Sequence, residues 1–520
     1  MTVLASPTAT VTLGGAAPSL ADVVAVARDD ARLALDPAAL DAMAASRGVI
    51  DALAQDPLPH YGVSTGFGAL ATTFIDRDRR AQLQLSLVRS HAAGTGPEVE
   101  REVVRALTLL RLSTLLTGRT GARPVVAQTY AAILNAGITP VVHEYGSLGC
   151  SGDLAPLSHV ALAAIGEGLV RDAEGTIVPA ADALAAAGIA PITLEEKEGL
   201  ALINGTDGML GQLVLALADL ERLVTTADVT ASMSVEALMG TDAPFAADLQ
   251  ALRPHPGIGA AAANMRRLLA DSPIVASHRG PDCTRVQDAY SLRCAPQVAG
   301  AVRDTLAHAR AVAERELAAA VDNPVVTEDG RVESNGSFHG APVGYVLDFL
   351  AIAVADLASM SERRIDRLLD PARNHGLPPF LAHEAGVDSG LMIAQYTAAG
   401  IVSDLKRLAS PASVDSIPSS AMQEDHVSMG WHAARKLRRA VCGLARVLGI
   451  ELLAASRGLA LRAPLDPSPA TAAAAAVVTE AARPGPDRFL APEVDAAALA
   501  VRSGDVLAAV EHRIGPLHHA

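Results

Sequence analysis

The chain has 520 residues, of which half are apolar and only 3% aromatic, and its formal net charge at pH 7 is −15. This length suffices for a large core in two or three domains, and the negative charge, with no basic stripe to offset it, argues against a nucleic-acid-binding protein. Residues 1–16 lack the basic segment and apolar run of a secretion signal, and no charge-free stretch approaches the length of a membrane-spanning helix.

Abundant alanine and leucine, which are strong helix formers, predict a mainly helical protein. Two helices are predicted between residues 18 and 56, and helical periodicity continues from 77 to 140. The sequence Thr-Leu-Glu-Glu at 193–196 has the pattern of a capping box and predicts a helix start.

Longer helices are predicted after Asn204-Gly205. Pro296 and Asn323-Pro324 are typical of the start and the end of one of them. The long periodic stretches are 206–240, 297–321, 341–369 and 431–461. This pattern predicts an N-terminal catalytic domain over residues 1–205 and a long-helix bundle over residues 206–520. An Ala- and Pro-rich stretch over 463–487 is expected to be looser.

Two motifs in the first 100 residues carry polar groups in unusual surroundings. Residues 61–68 form a glycine-studded segment with a phenol, Tyr61, and flexible loops of this kind can close over a substrate. A packed tyrosine in a turn is the alternative. Ser90 and His91 lie in an otherwise apolar helix, where a lone histidine is more often structural.

Residues 146–159 are apolar, Gly-rich and nearly uncharged, yet contain Cys150-Ser151-Gly152 followed by Asp153. The amide nitrogen of Gly152 can attack the Cys150 carbonyl, because a residue without Cβ folds that tightly at low cost. Ser151 carries a hydroxyl that can leave as water, and Asp153 can polarise the loop. The alternative is a turn before a helix, with Cys150 simply buried.

Three further motifs lie later in the chain. Asn204 can hydrogen-bond a ligand or cap a helix. Arg293 precedes a predicted helix and suits a carboxylate, although it could pair with a structural one. Glu424 begins a Glu-Asp-His run that also suits a metal, but no second ligand cluster accompanies it, so no metal is predicted.

Together these motifs resemble, over residues 55 to 430, the aromatic amino-acid ammonia-lyases. The resemblance implies a self-made electrophile, methylidene-imidazolone (MIO), formed from Cys150-Ser151-Gly152 with no external cofactor. Cys150 departs from the alanine usual in that family. It further implies a mainly α, aspartase/fumarase-like fold with an N-terminal MIO-bearing domain, and a homotetramer whose active sites combine several subunits.

The resemblance also assigns roles to the site residues. Tyr61 is expected to be the base on the β-carbon, with positive charge or dipoles nearby to lower its pKa. Tyr290 is expected near the amino group or the MIO, and Arg293 at the carboxylate. The remaining expected substrate contacts are His91, Asn204, Gln287, Phe338 and Glu424. The methylidene carbon is expected to add either the substrate amine or its ring.

Ser90-His91 and the Gln-Glu-Asp-His run at 423–426 resemble the histidine-specific members of the family. The implied reaction is elimination of ammonia from L-histidine to trans-urocanate, the first step of histidine degradation. Alternatives are a tyrosine or phenylalanine ammonia-lyase, an aminomutase, and a non-catalytic helical scaffold. Four widely spaced cysteines, together with the absence of a signal, predict a cytoplasmic protein with no membrane or nucleic-acid partner.

Overall fold

The computed structural model describes residues 10–280, 283 and 286–519, and it confirms the mainly α-helical fold. Residues 1–9, which form much of the segment judged to lack a secretion signal, lie outside this part. The first helices are α1 (Leu20–Arg28), α2 (Pro37–Leu53), α3 (Arg80–His91), α4 (Arg101–Leu115), α5 (Pro124–Asn135), α6 (Leu154–Ala164), α7 (Ala180–Ala186), α8 (Glu198–Ile203) and α9 (Asp207–Ala237).

The later helices include the remaining long ones. They are α10 (Ala247–Ala251), α11 (Pro256–Leu268), α12 (Pro273–Ala276), α13 (Tyr290–Arg293), α14 (Ala295–Leu317), α15 (Ala341–Leu369), α16 (Met392–Leu408), α17 (Gly430–Ala460), α18 (Pro469–Val477), α19 (Thr479–Ala482), α20 (Ala491–Ser503) and α21 (Asp505–Ile514). Helices α9, α14, α15 and α17 confirm the four predicted long stretches. Helices α18 and α19 occupy much of the stretch expected to be looser.

The strands are short and were not predicted. They are β1 (Thr10–Leu13), β2 (Arg32–Leu35), β3 (Thr95–Glu98), β4 (Thr139–Pro140), β5 (His143–Tyr145), β6 (Leu169–Arg171), β7 (Ile177–Pro179), β8 (Val325–Val326) and β9 (Val332–Glu333). β1 and β2 pair in parallel, whereas β3–β5, β4–β6–β7 and β8–β9 are antiparallel. Segments of two to four residues are too short to show a reliable alternation of apolar and polar residues, which is the sequence signal of a strand.

The helix start predicted from the capping box at 193–196 is wrong. Helix α8 begins at Glu198, after Lys197 in a left-handed conformation with φ of 73°. Both acids of the motif form ion pairs instead: Glu195 pairs with Arg47 and Arg123, and Glu196 lies 3.8 Å from Arg47. These long-range ion pairs outweigh the local pattern.

The chain forms two compact units, each made of three separate segments. The first comprises Met1–Leu215, Arg310–Leu347 and Pro411–Arg435, and the second comprises Ala216–Ala309, Asp348–Ser410 and Lys436–Ala520. The predicted division into an N-terminal catalytic domain over residues 1–205 and a long-helix bundle over residues 206–520 stays a prediction.

In the first unit, α3, α6 and α8 pack against one another and carry the site described below. Helix α4 packs on α1, α5 and α6, and twelve of its fifteen residues are buried.

In the second unit, one buried carboxylate ties three long helices together. Glu451 on α17 accepts hydrogen bonds from Thr230 and Ser234 on α9 and from Ser361 and Arg364 on α15. Because a buried carboxylate is costly unless hydrogen-bonded and paired, this network fixes the register of the helices.

Two helical stretches are long and apolar enough to cross a membrane by length and composition alone, 198–237 and 341–369. The most apolar window of the first is wholly buried within the protein, and that of the second is 61% buried. Core helices have the same properties, since their apolar faces are covered by other parts of the chain.

Candidate active site

A cavity of about 580 Å³ in the first unit brings together five of the eleven predicted site residues, Tyr61, His91, Ser151, Asn204 and Glu424. Its walls come from the 61–70 loop, α3, the start of α6, the end of α8 and the 420–424 turn. The lining residues are Tyr61, Gly66, Phe67, Gly68, Ala69, Leu70, Leu83, Ser86, Leu87, Ser90, His91, Ser151, Leu154, Leu200, Ile203, Asn204, Asn323, Ser420, Ala421 and Glu424. No lysine or arginine belongs to this described lining.

The loop before α6 is shaped by close backbone packing. Gly152 has a φ of 78°, and a Cβ there would lie 2.0 Å from the Gly205 carbonyl oxygen. That same oxygen accepts a hydrogen bond of 2.7 Å from the backbone N–H of Asp153. Only glycine fits this position, both in conformation and in space.

Asp153 is fully buried beneath this loop. Its carboxylate accepts hydrogen bonds of 2.8 Å from the Ser147 hydroxyl and from the backbone N–H of Met209 in the first turn of α9. Burial raises the pKa of Asp153 to about 7, although both hydrogen bonds lower it. The carboxyl group can therefore hold or release a proton near neutral pH beside the Cys150-Ser151-Gly152 segment.

Glu424 faces Ser151 across the cavity. The Ser151 hydroxyl donates to Glu424 Oε1 at 3.3 Å, and the Ser419 hydroxyl donates to Oε2 at 2.9 Å. Ser419 and Glu424 also exchange two backbone hydrogen bonds around a turn in which Ser420, Ala421 and Met422 all have positive φ. Such strained backbone persists only where the surroundings hold it, so the position of Glu424 is tightly specified.

The Cys150 thiol points away from water. It packs with Val427 and Met429, and burial together with the nearby Glu424 carboxylate raises its pKa to about 12. The thiol therefore stays neutral at ordinary pH and behaves as a small apolar side chain.

Tyr61 lies at the cavity wall, as the sequence predicted, but its electrostatic surroundings differ from the expectation. Its hydroxyl accepts a hydrogen bond of 3.3 Å from the backbone N–H of Gly68, which lowers the pKa of the phenol. Burial and the carboxylates of Glu424 and Asp322 outweigh that contribution and raise the pKa. Within the first unit, the expected lowering is therefore not found.

His91 ends α3 as a neutral imidazole. Its Nδ1 lies 2.9 Å from the Leu87 carbonyl oxygen, which can only accept, so Nδ1 carries the proton and Nε2 offers a lone pair. Burial lowers the pKa of His91. The side chain therefore presents a hydrogen-bond acceptor at neutral pH.

Asn204 has one satisfied and one unsatisfied end. Its Nδ2 donates to the Asn323 carbonyl oxygen at 2.9 Å, whereas its buried Oδ1 has no hydrogen-bond partner among the described residues. A buried, unpaired acceptor at a cavity is costly in the absence of a ligand.

Six of the eleven predicted site residues do not line the cavity: Cys150, Gly152, Gln287, Tyr290, Arg293 and Phe338. Phe338 is half-buried in a turn of the first unit. Gln287, Tyr290 and Arg293 belong to the second unit, where the side chains of Gln287 and Tyr290 are exposed. The Arg293 guanidinium lies 4.6 Å from the Tyr290 ring centroid, in cation–π contact. Gln287 and Tyr290 are thus accessible, but the cavity is built without them.

Sequence reasoning missed Ser419 and Asn323, which position Glu424 and Asn204. Ser419 acts through one hydroxyl, and Asn323 acts through its backbone carbonyl oxygen. A backbone contact leaves no residue-type signal. In the described part of the chain, no group of three or more His, Cys, Asp or Glu is arranged to hold a metal.

His159 on α6 supports the segment that follows His91. Its Nε2 accepts the backbone N–H of Gly94 at 3.1 Å, and burial, with His143 nearby, lowers its pKa to about 4. In the unfolded chain the ordinary pKa is 6.5, so between pH 6.5 and 4 the unfolded state binds more protons and stability falls as pH falls.

We expect a His159→Gln variant, which keeps an acceptor but does not titrate, to lose less stability on acidification than the parent. Between pH 7 and 5 the difference should be about 1 kcal/mol, after allowance for the partial exposure of the side chain. Urea unfolding at both pH values measures it. Equal losses in parent and variant would show that another group accounts for the acid sensitivity.

A sequence profile of the family described as "Aromatic amino acid lyase" matches residues 19–480. A Streptomyces avermitilis protein named histidine ammonia-lyase is 66% identical over 98% of this chain and 99% of its own length. A Sorangium cellulosum protein of the same name is 50% identical over 96% of this chain and 99% of its own length.

Solved structures share the fold. Tyrosine aminomutase from Streptomyces globisporus superposes with a TM-score of 0.91 at 37% identity, covering 97% of this chain and 99% of the other. Histidine ammonia-lyase from Trypanosoma cruzi superposes with a TM-score of 0.89 at 37% identity, covering 97% of this chain and 96% of the other.

Proposed function

The chain belongs to the aromatic amino acid lyase family, and we propose that it is an ammonia-lyase that converts L-histidine to trans-urocanate and ammonia. The observation that carries the proposal is the pair of hydrogen-bond acceptors in one cavity, neutral His91 and Glu424, beside Ser151. Each can accept a hydrogen bond from a ring N–H of histidine, which the rings of phenylalanine and tyrosine lack.

The residues present fit an MIO made from Cys150-Ser151-Gly152. Ring closure joins the Gly152 nitrogen to the Cys150 carbonyl carbon. The carbonyl oxygen leaves as one water with the amide hydrogens of Ser151 and Gly152, and the Ser151 hydroxyl leaves as a second water with its Cα hydrogen. The Gly205 backbone leaves no room for a side chain on Gly152, Asp153 lies below the segment, and the unpaired Asn204 Oδ1 lies at the same cavity.

When formed, the MIO supplies an electrophilic carbon that activates the substrate for loss of ammonia. The surrounding side chains then have separate tasks. Tyr61 takes the β-proton, and the C–N bond breaks as the new double bond forms. His91 and Glu424 orient the imidazole ring, with Asn204 Oδ1 as a further acceptor.

The α-carboxylate of the substrate needs a cation that the described cavity lining lacks. We assign this task to Arg293, with Tyr290, Gln287 and Phe338 beside it, supplied by other copies of the chain in a homotetramer. An arginine can grip a carboxylate with two hydrogen bonds, and its positive charge would also lower the pKa of the Tyr61 phenol. The exposure of Tyr290 and Gln287 fits such sharing.

The protein is expected to work in the cytoplasm. All four cysteines, Cys150, Cys283, Cys294 and Cys442, are free thiols, which suits a reducing compartment.

The decisive test is the ultraviolet absorbance of purified protein with L-histidine, L-tyrosine and L-phenylalanine in parallel. Urocanate formation from histidine alone supports the proposal. A product from tyrosine or phenylalanine instead would favour a tyrosine or phenylalanine ammonia-lyase or an aminomutase. The tyrosine aminomutase from Streptomyces globisporus, which has a similar structure, is an example of the last. No product from any of the three, with an unmodified intact mass, would favour a scaffold.

A His91→Leu variant should bind L-histidine more weakly, because leucine fills the space but accepts no hydrogen bond. The lost bond leaves a ring N–H unpaired, which costs about 1–3 kcal/mol and raises KM roughly 5- to 150-fold. Steady-state kinetics with histidine measure this. L-phenylalanine is the internal control, since its ring offers no N–H, and an unchanged KM for histidine would remove His91 from ring recognition.

A further inference from the structure

Arg111 is a buried cation that the catalytic scheme does not use. It lies on α4 with no exposed surface, and it does not line the cavity. Its Nη1 donates to the carbonyl oxygens of Asn204 at 2.8 Å and Ala201 at 3.3 Å, and its Nη2 donates to that of Val321 at 2.8 Å. A buried guanidinium so engaged fixes backbone rather than binding ligand.

Two of those carbonyls belong to the end of α8, where helical carbonyl groups lack partners within the helix. Arg111 therefore caps α8 and holds the backbone of Asn204. The next residue, Gly205, has no room for a Cβ either, since one would lie 2.8 Å from Arg111 Nη2. The guanidinium thus packs directly against the Asn204-Gly205 turn.

Gly152 and Asp153 contact the same turn through the carbonyl group of Gly205. The Gly205 carbonyl oxygen lies where a Gly152 Cβ would be and accepts the Asp153 N–H at 2.7 Å. A chain of contacts therefore runs from Arg111 through Asn204-Gly205 to the Gly152 nitrogen that must close the ring.

The charge of Arg111 is balanced locally. Asp207 Oδ2 lies 3.4 Å from Arg111 Nε, and within the described part of the chain neither atom has a hydrogen-bond partner. The ion pair stabilises the cation in the core without drawing its Nη groups away from the three carbonyls.

We propose that Arg111 is a positioning residue for formation of the MIO, holding the Asn204-Gly205 turn so that Gly152 is pressed toward the Cys150 carbonyl. This proposal rests on the proposed function, because it presupposes that the ring forms. It predicts that loosening Arg111 impairs cyclisation in a protein that is still folded.

The chain offers a matched control in Arg105 on the same helix. Arg105 is 1% exposed and donates to the carbonyl oxygens of Val26 and Leu134, as Arg111 does to its own three, but these carbonyls do not touch the site. Arg105→Lys and Arg111→Lys therefore impose the same chemical change on equally buried arginines.

Intact-mass spectrometry of both full-length variants reads out the loss of two waters, about 36 Da. We expect both waters to be lost from all molecules of the parent and of Arg105→Lys, and from only a minor fraction of Arg111→Lys. Circular dichroism should show a similar helix content in all three proteins. Loss of both waters from all molecules of a folded Arg111→Lys variant would overturn the proposal. A parent that loses no water would instead contradict the proposed function.

If Arg111→Lys does not fold, the double variant Arg111→Met with Asp207→Asn removes the cation and its counter-charge together, so that no unpaired buried charge remains. Impaired water loss in the folded double variant supports the proposal, and loss of both waters from all of its molecules refutes it. If this variant also fails to fold whereas Arg105→Lys folds, Arg111 is a determinant of stability and the specific positioning role is rejected.

Discussion

A Ser151→Ala variant is expected not to lose the second water, so that its intact mass never shows the loss of two waters, and to lose nearly all ammonia-lyase activity. Without the hydroxyl there is no second water to expel and no methylidene carbon, so the electrophile cannot form. The rate of the variant should fall by most of the enzymatic rate enhancement, which is ordinarily at least about 10⁶-fold. Intact mass and urocanate absorbance measure the two consequences independently.

The variant should fold as the parent does. Among the described contacts the Ser151 hydroxyl makes one hydrogen bond, of 3.3 Å to Glu424, and losing such a bond costs at most about 3 kcal/mol. Ser158→Ala is the matched control, since Ser158 is a buried serine of α6 whose hydroxyl donates only to the Leu154 carbonyl oxygen. Substantial activity in Ser151→Ala would refute the MIO, and loss of dehydration in Ser158→Ala would point to general loop damage.

The long helices could be predicted because their signal is local and repeated. Helices α9, α14, α15 and α17 each carry an apolar period for 23 residues or more, longer than any competing pattern. The start of α8 could not be predicted, because distant arginines capture the acids of the apparent capping box.

The cavity residues could be predicted where a motif brings a reactive group together with glycines, as around Tyr61 and Ser151. The support behind them could not, because Arg111 acts on backbone carbonyls that any residue type supplies. One signal was nevertheless present. Arg105 and Arg111 are charged residues within a helix of which twelve residues are buried, and a buried arginine must have partners.

The sequence order does not show that the predicted site residues belong to two compact units. The reactive loop and the acceptors for the imidazole ring lie in one compact unit, whereas Arg293 and Tyr290 lie in the other. The described cavity lacks a cation of its own, so its electrostatics are incomplete within that unit. Burial and the carboxylates of Glu424 and Asp322 raise the pKa of Tyr61, although a base of this kind needs a lowered one.

A Tyr61→Phe variant is the sharpest test of the base. The ring is kept and only the hydroxyl is lost, so we expect normal water loss in the intact mass and a fall in kcat of about 10²- to 10⁴-fold, the usual contribution of general base catalysis. Because the phenol must be deprotonated to act, parent activity should rise as pH rises toward the Tyr61 pKa, and the variant should lose that dependence.

Tyr130→Phe separates this effect from the mere loss of a buried phenol. Tyr130 on α5 is fully buried, its hydroxyl has no hydrogen-bond partner, and it does not line the cavity, so removing that hydroxyl should leave kcat unchanged. Tyr61→Phe loses little stability, since its hydroxyl accepts only the 3.3 Å hydrogen bond from Gly68 among the described contacts. A Tyr61→Phe variant with nearly full kcat would therefore exclude Tyr61 as the base and leave another group to take the β-proton.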